Sequence, residues 1–175
     1  RRKRDVQAGN ILAQLVLTEP HRARRQQPIY DVLLRAIHNA RRLIYIENQY
    51  FRSDQIAEAL VRALQRNPRL NLLVVTNHVT GPLTFAYGGA FFTAQAQRVI
   101  REARPQFKLH QLLARGRRAG RCVYLPVEVH AKVMVVDDHW CTIGSANLNE
   151  RRIRSEAEAN VAIEDAALSK RLRCR

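Results

Sequence analysis

Residues 127–164 read VEVHAKVMVVDDHWCTIGSANLNERRIRSEAEANVAIE, from Val127 to Glu164. Their alternation decides the fold class. On a strand, residues two apart share a face. In a strand over about residues 128–136, His130 and Lys132 therefore point one way, while Ala131, Val133 and Val135 pack on the other. Asp137-Asp138 is a turn signal. Residues 139–144 can return as the partner strand. Gly144-Ser145 ends it, and Asn147 follows in a tight turn. A further strand is expected over 157–164. An imidazole, an ammonium, a hydroxyl and a carboxamide can thus converge at one strand end.

Upstream the pattern alternates between strand and helix. Leu12 to Thr18 (LAQLVLT) reads as a strand, and residues 19–28 as a polar, proline-bounded loop. Ile29, Leu33, Ile37 and Ala40 recur at helical spacing. Leu43 to Glu47 is a short, β-rich run. Ser53 has the chemistry of an N-cap, with Asp54 in the first turn. Behind it Ile56, Leu60 and Leu64 line a second helix that ends near Asn67-Pro68. Asn71 to Thr76 reads as a buried strand. Gly81-Pro82 and Gly88-Gly89 mark loop, and a third helix is expected from about Ala90 to Ala103, stopped by Pro105. Strands are expected around 107–112 and 121–124, with the basic segment 112–121 (LLARGRRAGR) as a loop. A last helix starts near Asp165. Strands alternating with helices of about a dozen residues predict an α/β fold, an αβα sandwich with a mixed β-sheet. Residues 1–10 are expected to be a basic, flexible N-terminus, and 11–175 a single domain.

Composition narrows the partners. The 175 residues are 46% hydrophobic and 26% charged, which is globular. They carry 30 Lys+Arg against 15 Asp+Glu, a formal net charge of +15. Such a field favours anionic partners: phosphodiesters, nucleic acid or an anionic membrane surface. No apolar run approaches the roughly 18 residues of a membrane helix. Arg1-Arg2-Lys3-Arg4 is followed by no hydrophobic region, so no secretory signal is visible. The expected location is cytoplasmic or peripheral to a membrane, and stays open if an N-terminal half is missing. Cys122, Cys141 and Cys174 show no paired spacing, so neither a disulfide framework nor a zinc site is implied.

The converging residues suit phosphodiester chemistry. Lys132 can neutralise the charge that repels nucleophiles. Asn147 and Ser145 can donate hydrogen bonds to phosphate oxygens as charge develops. His130 can attack phosphorus or protonate the leaving oxygen. A carboxylate should hold its other ring nitrogen, and Glu158 and Asp137 are the two candidates. No carboxylate cluster suggests a metal, and no cofactor is implied.

The spacing is His130, Lys132, Asp137, then six residues to Gly144-Ser145 and Asn147. This HxKxxxxD pattern resembles the phospholipase D superfamily signature without a gap. Ile44 to Phe51 (IYIENQYF) resembles a family strand and loop. Val136 to Arg151 (VDDHWCTIGSANLNER) is similar to the GSANLN-containing stretch of bacterial members. The resemblance spans roughly Leu12 to Asp165 and is best for the C-terminal half of two-motif bacterial enzymes. It implies a phospholipase D-like fold. It implies that His130 is a catalytic histidine, Lys132 a phosphate ligand, and Ser145 and Asn147 the lining of the phosphate pocket. Asp137 becomes the motif aspartate, mainly structural. Glu158 falls where the family places the carboxylate that orients the histidine. Glu47, Asn48 and Gln49, with Tyr50, would border the substrate cleft.

Two departures stand out. Arg152 occupies a position that is usually serine, and the stretch up to Ser155 lacks the usual glycine and aspartate. The chain also carries one motif, whereas the family's chemistry uses two histidines. One attacks phosphorus to form a phosphohistidine; the other protonates the leaving alcohol. His21, His38, His78, His110 and His139 have no HxK context. The missing partner is either a second HxKxxxxD half, as the absent initiator methionine suggests, or a second copy in a homodimer. In the first case His130 is expected to be the acid. The implied activity is phosphodiester hydrolysis or phosphatidyl transfer on phospholipids. The alternatives are a metal-independent homodimeric nuclease acting on nucleic acid, and an inactive isolated half that only binds phosphate groups.

Overall fold

Apolar strands and amphipathic helices follow one another much as the sequence pattern predicts. The computed structural model describes residues 11–22, 27–77 and 83–174. Residues 1–10, His78 and Gly81-Pro82 lie outside the described residues. In chain order the elements are β1 (Leu12–Thr18), α1 (Pro28–Asn39), β2 (Leu43–Asn48), α2 (Asp54–Arg66), β3 (Asn71–Val75), α3 (Leu83–Ala103) and β4 (Leu109–His110). They continue with β5 (Leu113–Arg118), β6 (Arg121–Pro126), β7 (Lys132–Val136), β8 (Trp140–Gly144), α4 (Glu150–Arg154), β9 (Glu158–Glu164) and α5 (Ala166–Arg173).

Seven strands form one mixed sheet in the order β1-β9-β8-β7-β2-β3-β4. β2, β3 and β4 are parallel, with the helices α2 and α3 as the crossovers between them. β7 is antiparallel to β2, and β8, β9 and β1 continue antiparallel. β5 and β6 form a separate two-stranded ribbon. The fold is therefore α/β with a mixed sheet.

Alternation sorts the side chains into two cores. Ile44, Ile46, Val74, Met134 and Val136 face α1 and α2, where Ile29, Leu33, Ile37, Ile56 and Leu60 meet them. Each such fully buried side chain contributes about 1.5–3 kcal/mol. Tyr45, Val75, Val135 and Cys141 face the other way, with Leu168 and Leu172 of α5 packed against them. One layer is thus thick and the other rests on a single eight-residue helix. Helix starts carry their own signals. Ser53 accepts from the Ile56 amide at 3.1 Å, and Asp165 accepts from the Leu168 amide at 2.6 Å.

Four expectations are corrected. α3 begins at Leu83, not near Ala90, so Gly88-Gly89 lies inside the helix. A Cβ at Gly89 would come within 2.6 Å of Arg52 Nη2, so the Arg52 guanidinium would have to shift to admit one. Residues 113–118 are strand β5 rather than part of a basic loop. The strand expected over 128–136 starts only at Lys132, so His130 precedes it. The one expected over 107–112 shrinks to Leu109–His110.

The β7–β8 turn holds the sheet's centre. Asp137 and Asp138 both sit at φ 56°, a left-handed conformation that aspartate tolerates. The Asp137 carboxylate accepts from the backbone amides of Arg41, Arg42 and Leu43 at 2.7–2.8 Å. Asp138 pairs with Arg173 at 2.6 and 2.7 Å, which ties α5 down and holds the Asp138 carboxyl below its usual range. Asp137→Asn keeps the turn preference but weakens the three-amide clasp. We expect a loss of about 1–2 kcal/mol, read from the urea unfolding midpoint at unchanged slope.

Candidate active site

Strand direction gathers the polar residues at one end of the sheet. β7 and β9 begin there, at Lys132 and Glu158, while β2 and β8 end there, at Asn48 and Gly144. The register places Asn48 opposite Lys132 and Thr18 opposite Glu158. Lys132 shares its face with Met134 and Val136, so its stem emerges from the larger core. Only 8% of the residue is exposed. Its ammonium donates to Gln49 Oε1 at 3.0 Å and to the His130 carbonyl at 2.9 Å. Burial lowers its pKa; Glu158 acts in the opposite sense, and Arg152 with burial. An ammonium has three donors, so one stays open.

His130 is exposed, two residues before Lys132. Its ring makes no hydrogen bond among the described residues. Its backbone is held on both sides. The Gln49 amide donates to the Ala131 carbonyl at 3.0 Å. The Asn77 carboxamide clasps Val129, donating to its carbonyl at 2.8 Å and accepting from its amide at 2.6 Å.

The Ser145–Asn149 loop forms the opposite wall. Asn160 Oδ1 accepts from the Ala146 amide at 3.3 Å, and Asn48 Oδ1 accepts from the Leu148 amide at 3.1 Å. Gly144 allows this close approach. A Cβ there would sit 2.1 Å from Asn160 Oδ1 and 2.3 Å from the Ala159 carbonyl. Asn147 is buried, and its Oδ1 has no hydrogen-bond partner. A buried acceptor left open costs free energy, and such sites cluster where a ligand binds.

Ser145 donates a short hydrogen bond to Glu158. The Glu158 side chain is 3% exposed and is also bridged by Arg152 Nη1 at 2.9 Å. Arg152 reaches Glu156 as well, through Nε at 2.7 Å. The residue that replaces the usual serine thus neutralises the deepest carboxylate of the site.

Not every nominated residue joins this group. Asp137 follows the far end of β7, about 17 Å of extended chain from Lys132, and its oxygens serve the amides of residues 41–43. Of the two carboxylates weighed for the histidine, it is the one geometry removes. Glu47 lies in β2 on the face opposite Asn48 and accepts the Tyr45 hydroxyl at 2.7 Å. Desolvation, and then that bond, raise the Tyr45 pKa. Asn48 is a buried brace between β2 and the Ser145–Asn149 loop. Gln49 alone of this trio accepts a hydrogen bond from the Lys132 ammonium. Asn160 was missed, although its signal was present: Glu158, Asn160 and Ala162 share the inward face of β9. Among the described residues no group of three or more His, Cys, Asp or Glu is placed to hold a metal ion.

Comparison with known proteins places this arrangement. The family model described as "Cardiolipin synthase, PLD-like domain" matches residues 33–175. Phospholipase D C of Dictyostelium discoideum is 28% identical over 171 residues, covering 82% of this chain and 10% of that protein. Cardiolipin synthase B of Escherichia coli K12 is 44% identical over 45 residues, 26% of this chain and 11% of that protein. The chain thus spans about a tenth of the length of these relatives. Among solved structures, NucT from Helicobacter pylori superposes with a TM-score of 0.63 at 16% identity, covering 94% of this chain and 92% of that one. Nuc from Salmonella typhimurium, a phospholipase D family member, gives 0.62 at 19% over 93% and 90%. Phosphatidylserine synthase of Haemophilus influenzae gives 0.61 at 14%, over 93% of this chain and 37% of that one. These likenesses reproduce the mixed sheet. With the family model matched over most of its length, this chain belongs to the phospholipase D superfamily.

Proposed function

We propose that the chain carries one half of a phosphodiesterase site that hydrolyses or transfers phosphatidyl groups through a phosphohistidine. The observation that carries this reading is the Lys132 ammonium. It is buried, and its two hydrogen-bond partners are uncharged oxygens, one of them the backbone carbonyl of His130. A buried cation without a bonded counter-ion is a place for an anion. Ser145 and Asn147 stand in the loop that follows β8, at the same end of the sheet. Asn147 Nδ2 and Lys132 Nζ would hold the phosphate oxygens as charge builds.

The chemistry needs two imidazoles. A histidine nitrogen attacks phosphorus, and the bond to the leaving alcohol breaks with its electron pair on oxygen. The other histidine gives that oxygen its proton. It then takes a proton from water, or from a second alcohol, which attacks the phosphohistidine and frees the first ring. The products are phosphatidic acid or a new phosphatidyl-alcohol. We assign the acid role to His130, with the nucleophile supplied by a second HxKxxxxD half or a second copy. The thinner layer supports such a partner. Leu15, Val161, Ile143 and Val133 line up across β1, β9, β8 and β7 on the α5 face. Leu15 is 63% exposed.

A net charge of +15 suits any phosphate polymer, so a metal-independent nuclease formed by two copies is the second reading. A chromogenic phosphodiester in EDTA tests catalysis first. Turnover by the chain alone would mean that a second copy supplies the nucleophile, and His130→Ala should then lose about 10²–10⁴-fold. Folded wild-type chain without turnover would mean that His130 lacks its partner, which a second HxKxxxxD half must then supply. With phosphatidylcholine and a primary alcohol, phosphatidyl-alcohol should form; cleavage of DNA without lipid turnover would move the assignment to the nuclease.

Lys132→Met separates function from stability. Removing a desolvated charge should leave thermal stability equal or higher, because well-packed apolar replacements of buried ions are often neutral to stabilising. Turnover should vanish. A large drop in melting temperature would mean that Lys132 serves the fold.

A further inference from the structure

The β5–β6 ribbon belongs to neither core. All twelve of its strand residues, and the two of its turn, are exposed or half-exposed. An isolated two-stranded ribbon is marginal in water. It is nonetheless regular, with Leu113 opposite Pro126 through to Arg118 opposite Arg121, closed by Ala119 and Gly120 at φ 50° and 76°.

Its side chains divide along its length. Near the body lie Leu113, Tyr124 and Leu125, exposed by 54%, 64% and 58%, with Leu112 and Val127 beside them. Toward the tip lie Arg115, Arg117, Arg118 and Arg121. Residues 111–127 contain no Asp or Glu, and none of the four arginines forms an ion pair among the described residues. Large exposed apolar residues next to unpaired cations are what an anionic interface accommodates. Aliphatic and aromatic groups enter the headgroup–acyl boundary while guanidinium groups bind phosphates.

The ribbon is also coupled to the candidate site. The Val127 amide donates to the Leu112 carbonyl at 2.9 Å and closes its base. Two residues later Val129 is clasped by Asn77, and His130 follows. A surface gripped by the ribbon would therefore lie at a set height from the imidazole.

We propose that the β5–β6 ribbon is a docking element for anionic lipid bilayers, which brings the His130–Lys132 end of the sheet to the headgroup layer. Its purpose rests on the phosphatidyl reading above, but its binding is measured without turnover. An acidic protein surface would lack an acyl layer to take up Leu113, Tyr124 and Leu125, and nucleic acid would leave these three in water.

The test is flotation of the 175-residue chain with vesicles of phosphatidylcholine alone or mixed with phosphatidylglycerol. Wild type should bind the mixed vesicles, and less so as salt rises. R117Q/R118Q/R121Q should weaken that binding by on the order of 100-fold. L113S/L125S should weaken it while leaving the salt dependence in place. Neither variant should change turnover of a short, water-soluble phosphodiester, and both should melt as wild type does. Equal binding by wild type and the arginine variant would overturn the proposal. So would wild type that forms a dimer which L113S/L125S dissolves, since the ribbon would then be an interface between copies. Retention on DNA with no vesicle binding overturns it too. Vesicle binding with no turnover of any phosphodiester would keep the docking element and mean that His130 lacks its partner.

Discussion

The β2–β7 pairing is the constraint on which the architecture turns. It joins a parallel half, β2-β3-β4, to an antiparallel half, β7-β8-β9-β1. A parallel pair needs a helical crossover and an antiparallel pair needs only a turn, so the helices gather in the first half and the hairpins in the second. The seam is pinned at both ends. Asp137 holds three amides ahead of β2 at one end. At the other, the Gln49 amide reaches Ala131 and the Gln49 side chain reaches Lys132. A slip of one residue would send Met134 and Val136 out of the larger core and Lys132 to the opposite face. Register, core and site orientation are therefore one choice.

That choice explains why the site sits where the apolar pattern ends. Along β7 the inward positions read Val136, Met134, Lys132. The last of these reaches the sheet edge, where a long aliphatic stem stays in the core and its ammonium meets polar neighbours. β9 repeats the device with Ala162, Asn160 and Glu158. Asn160 and Asn48 then bind the loop between β8 and α4 from two sides. Lys132 and Glu158 are presented by strands, and the loops that carry His130, Ser145 and Asn147 are braced by carboxamides, which is a more rigid support than a free loop gives.

Much of this was legible because it depends on local periodicity. The parity of Lys132 and Val133 followed from alternation, whereas His130 lies ahead of the strand that was expected to carry it. The Asp137-Asp138 turn and the Ser53 and Asp165 starts followed from side-chain chemistry. What stayed hidden depends on distant contacts. Nothing near Gly88-Gly89 reveals that Arg52 fills the space a side chain would occupy. The ribbon strand β5 carries arginine and glycine rather than β-branched residues, because backbone pairing and not burial holds it. Glu47 belonged to a loop by motif and to the opposite face by parity, and parity decided. Asn160 was readable as a polar residue on an inward face but lay outside the matched motif.

The electrostatics of the site show what such a design costs. Glu158 is almost fully buried, and a carboxylate at that depth needs hydrogen-bond or charge partners. Ser145 and Arg152 meet that need. Lys132 is treated differently: its neighbours are neutral, and burial works against its charge. If stability alone had shaped this end of the sheet, the nearby carboxylate would bond the ammonium directly. Instead Arg152, itself half-exposed and shared with Glu156, satisfies Glu158 and leaves a Lys132 donor open. Lys132 and Arg152 stand against Glu158 and Glu156, and the unmet need at this end of the sheet is the open donor of the Lys132 ammonium. That deficit is small against the apolar burial of the larger core, so the fold tolerates an open donor that an entering anion would satisfy.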